Sequence, residues 1–281
     1  MTGAETPDGY TVNSDGAWTE DNVVQSRNMT DGTDMAKADS TSDGGESSGS
    51  WGSSEITVTV DAFMDHMYVL DEPRTRAYLF VGEDKALLVD TLMADDHVED
   101  IVRSVTDLPI EVVITHGHPD HIGGIEAFDS CYINENDASM LPEGITVNVI
   151  REGSEIVCDD FCFEIIEIPG HTDGSIALLD RAHGILISGD SVQSGPVIMT
   201  GENVSMQAYA DSMKKLLDYA DDVVYIFAGH HDYPSSRDYI QYAYEDALAY
   251  LNGELTGSPI TMMGAESMLY QGAHVSFLLD Q

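Results

Sequence analysis

The feature that most constrains this chain is the stretch VVITHGHPDHIGG, residues 112–124, where three histidines and an aspartate fall within six positions. A β-branched run precedes these polar residues and two glycines follow them, which is typical of a buried strand that ends in a loop. His116, His118, Asp120 and His121 lie too close together to act from one face of a regular helix. Imidazole nitrogens and carboxylate oxygens are zinc ligands, so the stretch predicts part of a metal site.

Four further segments end a predicted strand with a residue that can ligate a metal. They are LLVDT with Asp90, EIPGHT with His171, LISGDS with Asp190 and IFAGHH with His230. Each follows an apolar run, so each of these residues is expected at one rim of the predicted sheets, where distant parts of the chain converge. The sequence therefore predicts a site that draws on several separate loops.

Taken in order, these motifs resemble the five-motif signature of the metallo-β-lactamase-fold hydrolases. The resemblance covers residues 55 to about 235. It implies a site for two divalent metal ions in which Asp190 bridges both ions. The remaining implied ligands are His116, His118 and His171 for the first ion, and Asp120, His121 and His230 for the second ion.

The resemblance also implies a reaction. Two divalent ions about 3.5–4 Å apart share a hydroxide at neutral pH, and this metal-bridged hydroxide attacks a scissile carbonyl or phosphoryl group. Asp120 is expected to help handle a proton, and Asp90 to brace the histidine loop without ligating a metal itself. Zinc is the expected metal, and the harder oxygen ligands of the second group would also accept iron or manganese.

The order of predicted elements indicates an α/β fold. Strands come first and then alternate with helical stripes, which favours two sheets packed face to face with helices outside. The resemblance specifies this as a four-layer αβ/βα sandwich, the metallo-β-lactamase fold, over residues 55–281. Ser205 is the expected N-cap of one helix. Residues 1–54, rich in Gly, Ser, Thr and Asp, are predicted to be a disordered tail or linker.

Net charge limits the classes of partner that this chain can bind, and the number of cysteines argues against disulfides. The chain has 51 acidic and 11 basic residues, a formal charge of -40 at pH 7, which repels phosphate backbones and anionic membranes. We therefore expect a small-molecule substrate, no nucleic acid and no membrane span. The three cysteines, Cys131, Cys158 and Cys162, are expected in the core rather than in disulfides.

The sequence leaves the oligomeric state open, and it gives two expectations for the compartment. The protein is expected in the cytoplasm if Met1 is the true start of the chain. It is expected outside the cell or at its surface if an export signal precedes the sequence.

Differences between this sequence and known subfamilies of the fold reduce the number of candidate activities. True metallo-β-lactamases lack an aspartate at the position of Asp190, the glyoxalase II type carries a long helical C-terminal domain, and RNA-cleaving types carry an inserted domain or an RNA-binding arm. We therefore expect a hydrolase of small esters, thioesters or lactones that turns over β-lactams, glutathione thioesters and oligonucleotides poorly. Two alternatives stay open: a mononuclear-iron oxidoreductase of the persulfide-oxidising kind on the same fold, and a metal-binding module without catalysis.

The other histidines are predicted to lie outside the site. His183 is expected in a solvated hairpin turn, and His231 in a structural role because an extended segment points it away from His230. Tyr233 and the segment SVQSGPVIM, residues 191–199, follow ligand-bearing strands and are interpreted as a pocket lining. No ligand pattern surrounds the remaining histidines, which are His66, His97 and His274.

Overall fold

The computed structural model describes residues 10–12, 18–20, 58–94, 97–201, 204–262 and 265–280. The chain divides between Ser53 and Ser54 into two units. In the first unit, β1 (Tyr10–Val12) pairs antiparallel with β2 (Trp18–Glu20). The other residues of the segment predicted to be a tail lie outside the described ranges, so the tail stays a prediction.

The second unit contains a seven-stranded sheet. In order across the sheet its strands are β3 (Thr59–Met64), β4 (Met67–Asp71), β5 (Arg76–Val81), β6 (Ala86–Val89), β7 (Ile110–Val113), β8 (Ser130–Ile133) and β9 (Thr146–Val149). Strands β3 to β6 form an antiparallel meander, and β6 to β9 pair in parallel. Parallel neighbours need crossover connections, and the connection after β7 is the histidine-rich loop.

A five-stranded sheet forms the second layer of strands. The chain passes through β10 (Glu155–Cys158), β11 (Phe161–Glu167), β12 (Ile176–Asp180), β13 (Ile185–Gly189), a separate strand β14 (Val197–Met199) and β15 (Tyr225–Ala228). The sheet order is β10-β11-β12-β13-β15. Only β13 and β15 run in parallel, so the loops that follow these two strands emerge at the same rim.

The core between the two sheets follows from the alternation of side chains along each strand. On β5, Tyr78 and Phe80 are buried in the core between the sheets, whereas Ala77 and Leu79 are buried on the opposite face. The rings of Phe80 and Phe163 meet edge to face across this core, with centroids 4.8 Å apart. The inner apolar residues thus fix the two sheets against each other and position the loops at their rim.

Helices cover the outer faces of both sheets. Helix α1 (Val98–Arg103) packs on the seven-stranded sheet, and α3 (Met206–Leu216) and α4 (Asp238–Leu251) pack beside the five-stranded sheet. The short helix α2 (Pro119–Ile122) lies inside the histidine motif. The predicted N-cap is confirmed, because the Ser205 hydroxyl accepts the Ala208 backbone N–H at 3.2 Å. The four-layer αβ/βα sandwich is confirmed.

A third, four-stranded sheet was not predicted. It combines β14 with β16 (Gly257–Met262), β17 (Ala265–Gln271) and β18 (Ser276–Asp280), in the order β14-β18-β17-β16. Only β18 has an alternating pattern that indicates a strand. Strand β16 contains Pro259, and proline is tolerated in an edge strand because no neighbour needs its missing N–H. Within the described ranges, no helix is both long and apolar enough to cross a membrane.

The cysteine prediction is correct for two residues and wrong for the third. Cys131 and Cys158 are buried, but Cys162 is exposed. In the hairpin between β10 and β11, Cys158 pairs with Phe161, so Cys162 falls on the other face of the strand. A short, isolated turn between two cysteines does not reveal which of them faces the core.

Candidate metal centre

The predicted ligands lie at one rim because each follows the carboxyl end of a strand. Asp90 follows β6, His171 follows β11, Asp190 follows β13 and His230 follows β15. The histidine-rich loop follows β7, and its last two ligand-type residues sit on α2. Because β6 is parallel to β7, and β13 to β15, these loops meet at the same end of the two sheets.

One group of four side chains is rich in histidine. His116, His118, His171 and Asp190 each offer a ligand atom, and these atoms all lie within 4.8 Å of one another. The Nε2 atoms of His116 and His171 are 3.2 Å apart. Asp190 Oδ2 lies 3.8 Å from the first of these nitrogens and 3.6 Å from the second. We call this set the three-histidine group.

A second group of four shares Asp190 with the first. Asp120, His121, Asp190 and His230 also offer ligand atoms within 4.8 Å of one another. His230 Nε2 lies 3.1 Å from Asp120 Oδ2 and 3.2 Å from Asp190 Oδ2. His121 Nε2 lies 3.1 Å from Asp190 Oδ1. We call this set the two-aspartate group. The structure thus gathers all seven predicted ligands, with the shared aspartate between the groups.

The histidines of the three-histidine group are held in the neutral form. Burial lowers the pKa of His116 well below its usual value, lowers the pKa of His118, and lowers the pKa of His171 to about 4. His171 Nδ1 lies 2.6 Å from the Ile198 carbonyl oxygen, so Nδ1 carries the proton and Nε2 keeps its lone pair. These rings are therefore ready to bind a cation without first losing a proton.

The histidines of the two-aspartate group are held in the charged form. Burial by itself lowers the pKa of His230, but the carboxylates of Asp190 and Asp120 outweigh it and raise that pKa to about 9. Burial of His121 is likewise outweighed by Asp190 and Asp90, which raise its pKa well above the usual value. Without a metal, this group is a compact set of ion pairs.

Two buried atoms show that the residues fit a metal ion. His121 Nε2 and Asp190 Oδ1 lie 3.1 Å apart as an ion pair, yet neither atom makes a hydrogen bond of good geometry in the described structure. A buried donor or carboxylate oxygen without a partner is costly. A divalent cation bound by the two-aspartate group would satisfy both atoms, and nitrogen and carboxylate oxygen are the donors that zinc accepts.

Asp90 orients His121 rather than joining either group. Its carboxylate accepts the Thr115 backbone N–H at 2.7 Å and the Thr115 hydroxyl at 2.8 Å. Its Oδ2 also lies 2.7 Å from His121 Nδ1, which leaves His121 Nε2 directed toward Asp190. This geometry is that of a carboxylate that fixes the ring of a metal-binding histidine.

Sequence reasoning missed a second bracing carboxylate, Asp137. This buried side chain accepts backbone N–H groups from Gly117 and Gly174, both at 2.8 Å, and the Thr172 hydroxyl at 2.7 Å. It therefore ties the loop that carries His116 and His118 to the loop that follows His171. Asp137 lies in the segment NENDAS, which carries no ligand pattern, and the sequence offers no signal that could have identified it.

The glycine before His230 is required by close packing. A Cβ at Gly229 would lie 2.5 Å from the His121 ring and 2.6 Å from Asp190 Oδ1. Any side chain there would push apart two members of the two-aspartate group. This contact explains the glycine in the GHH motif physically.

The loops after Asp190 and His230 contact each other. The Ser194 hydroxyl donates to Asp232 at 3.0 Å, and a Cβ at Gly195 would lie 2.2 Å from the His231 ring. Burial and the charge of His230 lower the pKa of His231. His231 belongs to neither ligand group, and a pocket lined by residues 191–199 and Tyr233 stays a prediction.

The other histidines lie outside both groups, as expected for His66, His97, His183 and His274. His183 is less solvated than predicted, because its side chain is 29% exposed and its Nδ1 lies 3.1 Å from the buried Asp180 carboxylate. The ring of His183 also packs on Phe161, with centroids 4.6 Å apart. It completes a hairpin turn rather than a catalytic site.

Comparison with known proteins assigns the family. The model of the Metallo-beta-lactamase superfamily matches residues 70–230, and the chain belongs to this superfamily. A hydroxyacylglutathione hydrolase of Bdellovibrio bacteriovorus is 32% identical over 124 residues, which are 41% of this chain and 48% of that protein. A hydroxyacylglutathione hydrolase of Aeromonas salmonicida is 29% identical over 193 residues, 67% of this chain and 69% of that protein.

A further relative and two solved structures extend the comparison. The acyl-coenzyme A thioesterase MBLAC2 of Gallus gallus is 25% identical over 189 residues, 53% of this chain and 68% of that protein. A metallo-beta-lactamase from Pontibacter korlensis superimposes with a TM-score of 0.59 at 14% identity, covering 68% of this chain and 99% of that one. The sec-alkylsulfatase Pisa1 from Pseudomonas sp. superimposes with a TM-score of 0.58 at 14% identity, covering 70% of this chain and 42% of that one. These two structures support the fold alone.

Proposed function

We propose that this protein is a metal-dependent hydrolase of small thioesters that uses two divalent ions, with zinc as the native metal. The observation that carries the proposal is the pair of ligand groups that share Asp190. A shared carboxylate between two sets of nitrogen and oxygen donors is the arrangement that a two-metal hydrolytic site requires.

The three-histidine group and the two-aspartate group would hold one ion each. When bound, such ions polarise an acyl carbonyl and activate water at neutral pH. No nucleophilic side chain is then required, and none of the three cysteines belongs to either group. Esters and lactones share the acyl carbonyl and form the wider substrate class.

Asp120 is the carboxylate best placed to move a proton. Its side chain is 28% exposed, whereas that of Asp190 is 5% exposed. Its Oδ2 lies 3.1 Å from His230 Nε2, so the carboxylate stays within the ligand group while facing the open side of the site. Asp120 would therefore pass the proton of the attacking water to the leaving thiolate.

The choice of thioesters rests on the relatives. Two of them are named hydroxyacylglutathione hydrolases and one an acyl-coenzyme A thioesterase, and all three names describe cleavage of a thioester. The alignments cover 48% to 69% of those proteins. We therefore extend to this protein the hydrolysis of a thioester bond, but not the thiol (glutathione or coenzyme A) that forms the ester in the relatives. The formal charge of -40 opposes binding of a polyanionic carrier such as coenzyme A.

Metal reconstitution tests the proposal. Metal-free full-length protein is loaded with Zn²⁺, Mn²⁺ or Fe²⁺ and assayed on acetyl thioesters, esters, a lactone, a β-lactam and an RNA. We expect the zinc protein to hydrolyse thioesters with the highest kcat/KM.

Asp190→Asn is the inactive variant, and His183→Ala the matched control that leaves both groups intact. Failure of the wild type to hydrolyse any thioester with any metal would refute the proposal. If the protein instead holds a single iron ion and oxidises a persulfide, the mononuclear-iron oxidoreductase replaces the hydrolase as the function.

A further inference from the structure

The amino end of β5 lies at the rim that carries the predicted ligands. Strand β5 runs antiparallel to β6, whose carboxyl end leads into Asp90, so β5 begins where β6 ends. Arg76 is its first residue and alternates in phase with Tyr78, whose side chain is buried between the two sheets. The Tyr78 hydroxyl donates to the Ala228 carbonyl oxygen, two residues before His230. Arg76 therefore starts beside the loop that carries a predicted ligand.

The Arg76 side chain is fixed at that place by two contacts. Its guanidinium carbon lies 4.2 Å from the ring centroid of Tyr233, three residues after His230. Its Nε lies 2.7 Å from Asp71 Oδ1, across the β4–β5 pair. A planar cation stacked on an aromatic face and paired on one edge has little freedom to rotate.

One edge of this guanidinium is left without a partner. The Arg76 side chain is 14% exposed. Its Nε contacts Asp71 as an ion pair only, and neither Nε nor Nη1, both buried, makes a hydrogen bond in the described structure. Guanidinium nitrogens are donors only and cannot be neutralised in a protein. A buried cationic donor held in a fixed orientation against the loop that carries His230, with an unused N–H, fits an anionic group of a ligand.

The charge of the rest of the protein limits which anion this is. With 51 acidic and 11 basic residues, the protein repels polyanions over long range. The Arg76 guanidinium is already paired with Asp71, so it offers N–H donors rather than net positive charge, and these donors suit at most one small planar anion. A carboxylate matches the guanidinium in charge and planarity.

We propose that Arg76 is a specificity residue that binds one carboxylate of the substrate, so that the preferred substrates are small thioesters carrying a single carboxylate. This inference rests on the proposed thioesterase function. The rival explanation is that Arg76 only tethers the β4–β5 turn to the loop after His230. A tether would act on all substrates alike, whereas a specificity residue distinguishes a carboxylate from its neutral amide.

Two matched substrate pairs test this difference on either side of the scissile bond. One pair is the glutaryl and glutaramoyl thioesters of N-acetylcysteamine, and the other is the acetyl thioesters of 3-mercaptopropionate and 3-mercaptopropionamide. We expect the zinc-loaded wild type to favour the carboxylate in at least one pair by about tenfold to a hundredfold in kcat/KM, mainly through KM. Arg76→Met should abolish this preference and leave kcat/KM for the amide within about twofold.

Arg74→Met is the matched control, because it removes an equal charge from the same turn and should keep the preference. Melting temperature and zinc content are measured for every variant. If Arg76→Met does not fold, Arg76→Lys decides: it keeps the charge but loses the planar donors, so the preference should fall several-fold. An unchanged preference in the lysine variant then overturns the inference.

The outcomes separate the inference from the function it rests on. Equal turnover of acid and amide by the wild type, or an equal loss on both in Arg76→Met, overturns the carboxylate site while the thioesterase function stands. Absence of hydrolysis of every thioester by the zinc-loaded wild type overturns both.

Discussion

The three-histidine group and the two-aspartate group share Asp190, yet they are built on opposite electrostatic principles. In the first, burial keeps the histidines neutral, with the pKa of His171 at about 4. In the second, carboxylates hold their histidines in the charged form, and the pKa of His230 is raised to about 9. The first group can therefore bind a cation without losing protons, whereas a cation that binds the second group must displace the protons of its charged histidines.

The two groups also differ in what holds them in place. Asp137 ties together the two loops that carry the histidines of the first group. Asp90 contacts the His121 ring of the second group directly, and reaches His116 only through the Thr115 hydroxyl. One rim thus combines a preformed site with a site that becomes able to bind a cation only after its histidines lose protons. We therefore expect the two ions to bind in order.

The largest effect is expected where the groups overlap. Asp190→Asn should replace the shared carboxylate by a neutral amide with a single oxygen donor and lower kcat/KM by more than about a hundredfold, because even residues that only orient ligands cost about tenfold to a hundredfold. Thioester hydrolysis and metal analysis of the purified variant check this. His183→Ala is the control and should keep full activity. Wild-type metal content in the Asp190 variant would contradict the shared role.

Substituting one ligand in each group should separate the two ions. His116→Ala should lose the ion of the three-histidine group, whereas His230→Ala should keep that ion and lose the other. Both variants should lose most of their activity, so the number of metal ions bound per chain is the measurement that distinguishes them. Loss of both ions from His230→Ala would mean that the groups do not bind independently.

The bracing carboxylates should give intermediate effects that follow the same division. Asp137→Ala should weaken binding by the three-histidine group by about tenfold to a hundredfold, and Asp90→Ala should do the same for the two-aspartate group. Competition with a chelator measures both affinities. If the two substitutions weaken the same ion, the assignment of one brace to each group is wrong.

The smallest effect expected is a difference in pH dependence between the two ions. At neutral pH the histidines of the first group are already deprotonated, since the pKa of His171 is about 4 and the pKa values of His116 and His118 are also lowered. Its affinity should be nearly flat. The second group must release a proton from both His230 and His121, whose pKa values are raised, so its affinity should rise with pH to at least about 9.

Calorimetric titration of the metal-free protein at several pH values resolves these two curves. The free energy of unfolding of the metal-free chain should fall as pH rises, whereas the metal affinity of the second group rises. The pKa of His230 is raised from 6.5 to about 9 by folding, so its contribution is present below pH 6.5 and lost as pH rises through 9. Parallel pH curves for the two ions would contradict the comparison.

Much of the site was predictable because each ligand directly follows an apolar run. The rim position of Asp90, His171, Asp190 and His230 then follows from sheet geometry. The bracing role of Asp137 was not predictable, since its partners are backbone N–H groups from two distant loops. The sheet built from β14 and β16–β18 was missed for a similar reason: its strands owe their pairing to tertiary contacts rather than to a strong alternating pattern.

Stepwise zinc loading shows whether this protein has a two-ion hydrolytic centre that shares Asp190. Metal-free full-length protein is titrated with Zn²⁺ while bound metal and hydrolysis of an acetyl thioester are measured on the same samples. We expect two zinc ions per chain, bound in order, and maximal hydrolysis only as the second site fills. Saturation at one ion per chain, or full occupancy of two ions without hydrolysis, would contradict it.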